Sequence, residues 1–401
     1  MMKTTRFAWP ALLLAVAAQA QPAATLLPAA AGDLVAGRAV AVERSVPATL
    51  ERAPLTYAQP LAAGDALAGV PAIHVAESRE YWQRVDGVQL GQGYALALTA
   101  PGALVLLSPA ASAAPLATTR MRIVRGTERT GLDRAGEALV DAAALRAAGM
   151  AVAAGSIGFR LRPGYEADAR LQVDGAQGDY LLHVTEPRSP HRLTLAAARD
   201  TVHAGDELVV DLALLGGAQV VQAAGLLVAP DGRSWDLAVS HAGNGVQGRV
   251  SVPSTAGAQP GLWEVRTTLA ASDGTRAFQR DARTALAVTV PTARIAGAAP
   301  ARDTKAGRSA TTVAIDLDVA SAGRYEVRGI LYGTDAGGRL VPAALAQSAA
   351  WMEPGARRLD LAFPPSAGGL RAPYELRDLR LTDQGVPALI ERRARALALD
   401  R

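Results

Sequence analysis

Short runs of alternating apolar and polar residues, separated by turn residues, recur along this chain. In the stretch "TTVAIDLDVA", Val313, Ile315 and Leu317 share one face of an extended strand, while Asp316 and Asp318 share the other. A period of two is that of a β-strand with one buried and one solvated face. Roughly seven such runs per hundred residues are typical of immunoglobulin-like sandwiches. The sequence therefore predicts a mainly β fold of tandem immunoglobulin-like β-sandwich domains.

Turn residues between the alternating runs predict three β-hairpins. Their turns are Pro230-Asp231-Gly232, Ser272-Asp273-Gly274 and Asp335-Ala336-Gly337-Gly338. One stretch breaks the pattern: "AGEALVDAAALRAAGM", residues 135–150, is rich in helix formers and ends near Gly149. We expect the chain's one substantial helix here, a short helix within the first domain.

The first twenty residues have the pattern of a signal peptide. Lys3 and Arg6 precede an apolar run over residues 7–18, and Ala18-Gln19-Ala20 is a small-residue cleavage site. We expect residues 1–20 to be removed, so that the mature chain begins at Gln21; an uncleaved N-terminal anchor is the alternative. Residues 21–52, rich in Ala and Pro, are predicted to be a flexible leader or loosely docked chain.

Proline-rich connectors predict the domain boundaries. A chain of 401 residues, 50% of them hydrophobic, can form two to three domains. The connector "EPRSP", residues 186–190, cannot lie in a central strand, and Pro291 ends another alternating run. We expect an N-terminal β-rich domain with a short helix over residues 53–187, followed by immunoglobulin-like β-sandwiches over residues 191–291 and 293–401.

Cysteine and charge content exclude several classes of site and partner. The chain has no cysteine, which excludes disulfides, thiolate nucleophiles and Cys-type zinc sites, and is ordinary for a bacterial envelope protein. The net charge is +4, and loss of Lys3 and Arg6 leaves 4 − 2 = +2. The arginines form no dense patch interleaved with aromatic residues, so no nucleic-acid partner is expected. "ERRARAL", residues 391–397, is interpreted as a solvated strand face.

A search for catalytic motifs predicts neither an enzyme nor a cofactor. The zinc-protease, P-loop, dinucleotide-binding and EF-hand patterns are all missing from the sequence. "AGSIG", residues 154–158, resembles a nucleophile elbow around Ser156, but Ala154 replaces the first glycine and the stretch precedes a strand. We therefore expect no catalytic residue, and no other apolar run is long enough to span a membrane.

Histidines and paired carboxylates are the weak candidates for metal ligands. In "GDYLLHVTEPRSPHRLTL", residues 178–195, His183 ends one predicted domain and His191 begins the next; His203 follows. Three such residues could bind zinc, but we interpret this stretch as a domain seam and predict no metal. The pairs Asp316 with Asp318 and Asp378 with Asp383 could hold calcium at a sandwich edge, or only solvate the surface.

Aromatic residues are the candidate ligand contacts. Tyr81 and Trp82 are adjacent and point to opposite faces of one predicted strand, and Trp351 lies near a strand end. Exposed aromatic side chains are common platforms for sugars and peptides. Each of the three could instead pack in a core, and both interpretations stay open.

Several of these stretches also carry a family resemblance. They are "SREYWQRVDGVQLGQGYALALTAPGALVLLSP" in the first domain, and "GRYEVRGILYGTDAGG", "AQSAAWMEPG" and "APYELRDLRLTDQG" in the last. With them the chain resembles a domain-of-unknown-function family of exported proteobacterial proteins, which have an N-terminal domain and two C-terminal immunoglobulin-like domains. The resemblance implies export, with type II secretion as one route, and supplies no catalytic residues.

Together these patterns favour an exported, non-catalytic binding protein. Its ligand would be a protein or a glycan, in the periplasm or outside the cell. Two alternatives stay open: a hydrolase or hydrolase accessory with its site at a domain junction, and a structural spacer or secretion chaperone.

Overall fold

A computed structural model describes residues 26–399 except 44–46, 48, 63, 66, 68–71, 112, 114–115, 243–244, 257–260, 302–310 and 366–368. The predicted signal peptide, residues 1–20, lies outside the described residues. The fold is mainly β, with tandem β-sandwich domains, as the alternation predicts. None of the helices in the described part of the chain is long and apolar enough to cross a membrane.

Two strands come from the N-terminal segment, β1 (Leu55–Pro60) and β2 (Val75–Ser78). The first domain contains β3 (Glu80–Asp86), α1 (Gly87–Gln92), β4 (Tyr94–Ala95), β5 (Leu104–Pro109), a 3-10 turn (Thr118–Arg120), β6 (Met121–Arg125), β7 (Glu128–Gly131), α2 (Leu132–Ala135), β8 (Gly136–Asp141), α3 (Ala142–Ala147), β9 (Ile157–Leu161), β10 (Arg170–Val173) and β11 (Asp179–Thr185).

The second domain contains β12 (Arg192–Ala197), β13 (Thr201–His203), β14 (Glu207–Leu215), β15 (Gln219–Val228), β16 (Ser234–Asp236), β17 (Ala238–Ala242), β18 (Gly245–Ser251), β19 (Trp263–Ser272) and β20 (Ala277–Thr289). The third contains β21 (Ala293–Ala301), β22 (Thr311–Val319), β23 (Gly323–Thr334), β24 (Leu340–Met352), β25 (Gly355–Phe363), β26 (Arg371–Asp383) and β27 (Ala388–Leu399).

Each domain encloses its own hydrophobic core between two sheets. The first core lies between β3-β11-β5-β9-β8 and β4-β10-β6-β7. The second lies between β16-β15-β19-β20 and β17-β18-β14-β12, and the third between β24-β23-β26-β27 and β21-β22-β25. The three predicted hairpins are confirmed, because β15 pairs with β16, β19 with β20, and β23 with β24.

The first and second domains share one sheet. β20 pairs with β3 through Asp281 and Glu80, which joins the outer strands of two domains into a ten-stranded sheet. β2 crosses to the second sheet of the second domain and pairs with β12. The sequence places residues 53–78 in the first domain, but β1 and β2 pair with the third and second domains. Residues 55–60 and 75–78 thus pair with strands outside the predicted first domain.

The predicted helix is shorter than its sequence suggests. Residues Gly136–Asp141 form β8, which pairs with β9, and α3 begins only at Ala142, where Asp141 accepts a hydrogen bond from the Ala144 backbone N–H. Pairing with a neighbouring strand outweighs the helix propensity of this stretch, because intrinsic propensity determines structure only weakly. α1 and α2 were not predicted, although Asp86 and Gln89 form a capping box at α1 that the sequence displays.

The N-terminal segment docks on the third domain. Leu34 exchanges two backbone hydrogen bonds with Arg392 of β27, and the Leu27 N–H donates to the Ala396 carbonyl. At the opposite edge of the same sheet, β1 pairs with β24 over six residues. These contacts agree with docked chain, the alternative to a flexible leader that the sequence leaves open.

The docked segment also overturns the interpretation of "ERRARAL". Glu391, Arg392 and Arg393 are buried, because residues 26–36 cover this part of β27. The Arg392 and Arg393 guanidinium groups donate to the carbonyls of Gly32 and Leu27. Local charge pattern could not reveal this burial, since the covering residues lie some 360 positions away in the chain.

Gly216 lies at the seam between the first two domains, and a substitution at this position would test how tightly the seam is packed. Its φ is +104°, and a Cβ at this position would lie 2.4 Å from the Pro190 carbonyl oxygen. Gly217 also has a positive φ, +79°, but its Cβ would meet nothing within 4 Å. Gly216→Ala should therefore lower the free energy of unfolding by more than Gly217→Ala, with a difference above about 1 kcal/mol in urea unfolding. Equal losses would show that the contact with Pro190 relaxes freely.

Candidate functional site

A buried ion pair holds the first and second domains together at the stretch that connects them. Arg280 on β20 and Glu186, just after β11, are 0% and 1% exposed, and their side chains meet at 2.7 Å. The Arg280 guanidinium also donates to Ser189 Oγ, Thr99 Oγ1 and the His191 carbonyl. The connector "EPRSP", which the sequence predicts as a domain seam, supplies Glu186 and Ser189 to this network.

The remaining carboxylate oxygen of Glu186 completes this network. It accepts the backbone N–H groups of Thr99 and Ala100 at 2.6 and 2.9 Å. Burial lowers the pKa of Arg280, and the adjacent Glu186 carboxylate opposes that shift. A buried pair whose hydrogen bonds are satisfied fixes the geometry of the groups around it. The two domains therefore meet at a defined angle, and β3 lies firmly beside β20.

A cleft of 640 Å³ lies on the solvent face of the ten-stranded sheet, where β20 meets β3. Its walls come from both domains, because β3 belongs to the first domain and β15, β16, β19 and β20 to the second. Ligand sites are commonly concave and placed at domain interfaces. The side chains that give the cleft its chemistry are Glu80, Trp82, Asp236, Arg266, Asp281 and Arg283.

Strand register arranges the charged groups of the cleft in two rows. Asp281 is directly opposite Glu80 on one side and Thr268 on the other, which makes an acidic row. Two residues along β20, Arg283 is directly opposite Arg266, which makes a basic row. Residues two apart on a strand point to the same face, so both rows face the cleft.

Trp82 supplies a flat apolar surface beside the acidic row. Its ring stacks on the His183 imidazole, with the centroids 3.6 Å apart and the planes 7° from parallel. His183 Nε2 lies 2.9 Å from a carboxylate oxygen of Glu80, which holds the imidazole in place. Trp82 nevertheless keeps 37% of its surface exposed. His183 covers one face of the indole, and the exposed part of the side chain lines the cleft.

The two carboxyl groups of the acidic row have opposite pKa shifts. The hydrogen bond with His183 holds the pKa of Glu80 below its usual value, against the opposing effect of burial. Burial raises the pKa of Asp281, although the Trp82 backbone N–H and Gln279 donate to its carboxylate. The row therefore offers one firmly ionised carboxylate and one that takes up a proton more readily.

The structure separates the aromatic candidates from one another. Tyr81 is 3% exposed and packs in the core of the first domain. Trp351 lies on β24, far along the chain from the cleft residues, and Arg52 of the N-terminal segment lies 4.1 Å over its ring. Its indole N–H donates to Glu353. Of the three predicted binding residues, only Trp82 lines the cleft.

The three candidate zinc histidines have separate partners. His183 stacks on Trp82, whereas His191 is buried against Phe278 with the ring centroids 4.6 Å apart. His203 Nε2 donates to the Ile390 carbonyl in the third domain. Among the described residues, no three His, Asp or Glu side chains are placed to hold a metal ion.

The other candidates for chemistry pair with neighbouring side chains or backbone. Asp316 pairs with Arg358, Asp318 with Arg294 and Asp378 with Arg380, while Asp383 accepts a hydrogen bond from Thr292. Ser156 is fully buried and its hydroxyl donates to the Ala153 carbonyl. Ser156 also borders an open depression of 850 Å³ beside α3, and five of the fifteen residues that line it are alanines.

Sequence reasoning missed the charged residues of the cleft. Glu80 lies about 200 positions before Asp281 in the chain, and nothing local to either residue indicates their pairing. The one usable signal was the outward position of Arg266 in an alternating strand, which by itself is typical of any solvated strand face.

Comparisons with known proteins agree with this architecture. The models of the N-terminal and C-terminal domains of a family described as "Domain of unknown function (DUF4785)" match residues 46–186 and 292–400. The crystal structure of a DUF4785 family protein from Legionella pneumophila is 20% identical, with a TM-score of 0.73, and the match covers 92% of this chain and 99% of that chain. That likeness shows the same fold.

Two other solved structures are too dissimilar in fold to support any conclusion about this chain. The tetra-tandem repeat in the extending region of a large adhesion protein is 13% identical over 72% of this chain and 68% of that chain, with a TM-score of 0.17. The C-terminal globular domain of an oligosaccharyltransferase from Pyrococcus abyssi is 10% identical over 55% and 50%, with a TM-score of 0.13. No curated protein matches the chain. On the two matched domain models and the shared fold, the chain belongs to the DUF4785 family, a family of unknown function.

Proposed function

We propose that this chain is an exported, non-catalytic binding protein that holds a glycan in the cleft between its first two domains. The observation that carries the proposal is the half-open indole of Trp82, stacked on His183 at the wall of a concave site. An aromatic face that stays exposed beside hydrogen-bonding groups is suited to the apolar face of a sugar ring.

The polar groups of the cleft complement a sugar. Glu80 and Asp281 can accept hydrogen bonds from hydroxyl groups, while Arg266 and Arg283 can donate to oxygen atoms. The buried Arg280–Glu186 pair supports both walls, so little of the site would need ordering when a ligand binds. A short peptide is the other ligand class that an exposed tryptophan supports, and the test below separates the two.

The cellular place of this binding is part of the proposal. The basic residues, apolar run and Ala18-Gln19-Ala20 of the N-terminus support export by the general secretory route. The ligand would then be a glycan of the envelope or of the surroundings of the cell. Fractionation of the host, with and without outer-membrane secretion, distinguishes these two places.

Trp82→Ala should weaken glycan binding at least about tenfold, because it removes the platform and leaves the fold in place. The full chain would be applied to a glycan array and a peptide array, and hits measured by titration calorimetry. Trp351→Ala is the matched control, since Arg52 covers that ring outside the cleft. Unchanged glycan affinity in Trp82→Ala, or hits on peptides alone, would refute the proposal.

A hydrolase is the second candidate, and one observation favours it. Glu80 and Asp281 are directly opposite on neighbouring strands, and their pKa values shift in opposite directions, as in carboxylate pairs that cleave glycosides. Against it, both carboxylates accept hydrogen bonds from protein groups. Incubating wild type, Glu80→Gln and Asp281→Asn with the bound glycans and following reducing ends tests it: turnover lost in both variants supports the hydrolase.

A further inference from the structure

We propose that the cleft selects an acidic glycan, and that Arg266 and Arg283 together hold the carboxylate of a uronic acid unit. This inference rests on the glycan-binding function proposed above and names the class of glycan.

The basic row carries a positive charge that ion pairs within the described residues only partly neutralise. Arg266 and Arg283 are directly opposite each other on β19 and β20, and both line the cleft. Like charges at directly opposed positions of an antiparallel pair destabilise a sheet. An anion between the two guanidinium groups would relieve this repulsion.

Acidic groups that the structure describes pair with only one of the two arginines in this row. Glu264 binds Arg266 from two residues earlier on the same strand, at 2.6 Å. Arg283 forms no ion pair or side-chain hydrogen bond with any residue that the structure describes. Asp281, two residues away on the same face, accepts instead from the Trp82 N–H and Gln279. Arg283 therefore keeps its five N–H donors for a ligand.

A uronic acid matches the two rows and the platform at once. Its carboxylate suits the planar, bidentate geometry of guanidinium groups. Its ring hydroxyls can donate to Glu80 and Asp281, and its apolar face can lie on Trp82. The rows are two residues apart along β20, about 6–7 Å, so one sugar ring can contact both.

Densely charged polyanions fit the cleft less well. Glu80, Asp236 and Asp281 line the same cleft as the two arginines, a formal charge of 2 − 3 = −1, so the positive charge is confined to the basic row. Nucleic acids and heavily sulfated chains depend on many cationic contacts. A sugar with one carboxylate per ring suits the cleft better. Its carboxylate would meet the basic row, and the hydroxyls beside it would meet the acidic row.

The experiment measures the affinity of the full chain for oligomers of galacturonate, alginate and hyaluronan by titration calorimetry. Each oligomer is compared with its carboxyl-reduced form, which has the same sugars without the charge. We expect at least one acidic oligomer to bind ten or more times tighter than its reduced form. Arg283→Ala should reduce that affinity to the level of the reduced oligomer, with the affinity for the reduced form unchanged. Arg249→Ala, at an exposed arginine on the other sheet, is the control.

The outcomes separate this inference from the proposed function. Equal binding of acidic and reduced oligomers, lost in Trp82→Ala, would overturn the acidic selectivity and keep the glycan-binding function. Tight acidic binding that survives Arg283→Ala would place the carboxylate elsewhere and refute the role of the basic row. Failure of every acidic and neutral oligomer, with no array hit that depends on Trp82, would overturn both.

Discussion

Glu186→Ala is expected to lower the free energy of unfolding of the joined first and second domains by about 3–5 kcal/mol. The substitution leaves the buried Arg280 guanidinium without its carboxylate, and the N–H groups of Thr99 and Ala100 without their acceptor. A charge buried without a partner costs far more than the loss of an exposed pair. Urea unfolding followed by tryptophan fluorescence measures the change.

Two further variants serve as controls for Glu186→Ala. Glu207→Ala removes a pair with Arg249 in which both side chains are about half exposed, so it should cost less than about 1 kcal/mol. The double variant Glu186→Met with Arg280→Met should cost less than Glu186→Ala, because no charge stays buried. A loss below about 1 kcal/mol in Glu186→Ala would mean that the seam opens to water and does not fix the domain angle.

The second large effect concerns the pH dependence of stability. Burial raises the pKa of Glu391 to about 7, against the opposing effects of the Ile295 N–H and of nearby Arg393 and Arg294. The docked N-terminal segment contributes to this burial. Because the carboxyl is harder to ionise when folded, the native state keeps a proton that the unfolded chain has already released.

The proton that folded Glu391 retains determines whether stability rises or falls with pH. Below the unfolded pKa of 4.5 both states hold it, so burial of the neutral acid carries no ionisation penalty. Between pH 4.5 and 7 the unfolded chain loses the proton first, so stability falls with rising pH. Over 7 − 4.5 = 2.5 pH units the loss amounts to about 3 kcal/mol, and it stays constant at higher pH.

Glu391→Gln is expected to remove this fall, so that the difference in stability between pH 5 and pH 8 becomes smaller than in wild type. Glu375→Gln is the control, because the pKa of Glu375 is shifted in the opposite direction to that of Glu391. Burial raises the pKa of Glu375, but hydrogen bonds from Arg395 and Arg377 outweigh it and hold the pKa below its usual value. That variant should lose stability about equally at both pH values. An unchanged pH dependence in Glu391→Gln would refute the burial argument.

Alternation and turn residues predict local structure well in this chain. The period of two places Tyr81 and Trp82 on opposite faces of β3, and the structure buries the first and exposes the second. Pro230-Asp231-Gly232 makes its hairpin because the turn chemistry is contained in neighbouring residues. Residues 136–141 fail as a helix because their pairing with β9 supplies hydrogen bonds that propensity does not count.

The sequence predicts only part of the candidate site, because local patterns do not report pairing between distant strands. Trp82 could be named as one of two candidates on its strand, since the alternation of faces is a local property. Its partners could not: the rows depend on the register between β19, β20 and β3, and Asp281 pairs with a residue two hundred positions away. One residue of slip would turn these side chains to the other face. The Arg280–Glu186 pair is likewise invisible until both domains are folded.

By itself, the sequence determined the β class, the strand faces and the three hairpins, because these depend on residues within one strand or turn of each other. Tertiary structure alone decided that residues 26–36 and β1 close the two edges of the third domain's larger sheet. It also decided that Glu391, Arg392 and Arg393 are buried and that two domains share a sheet with a cleft on its face. These features join segments far apart in the chain, and only the balance of loop closure, burial and register over the whole molecule selects them.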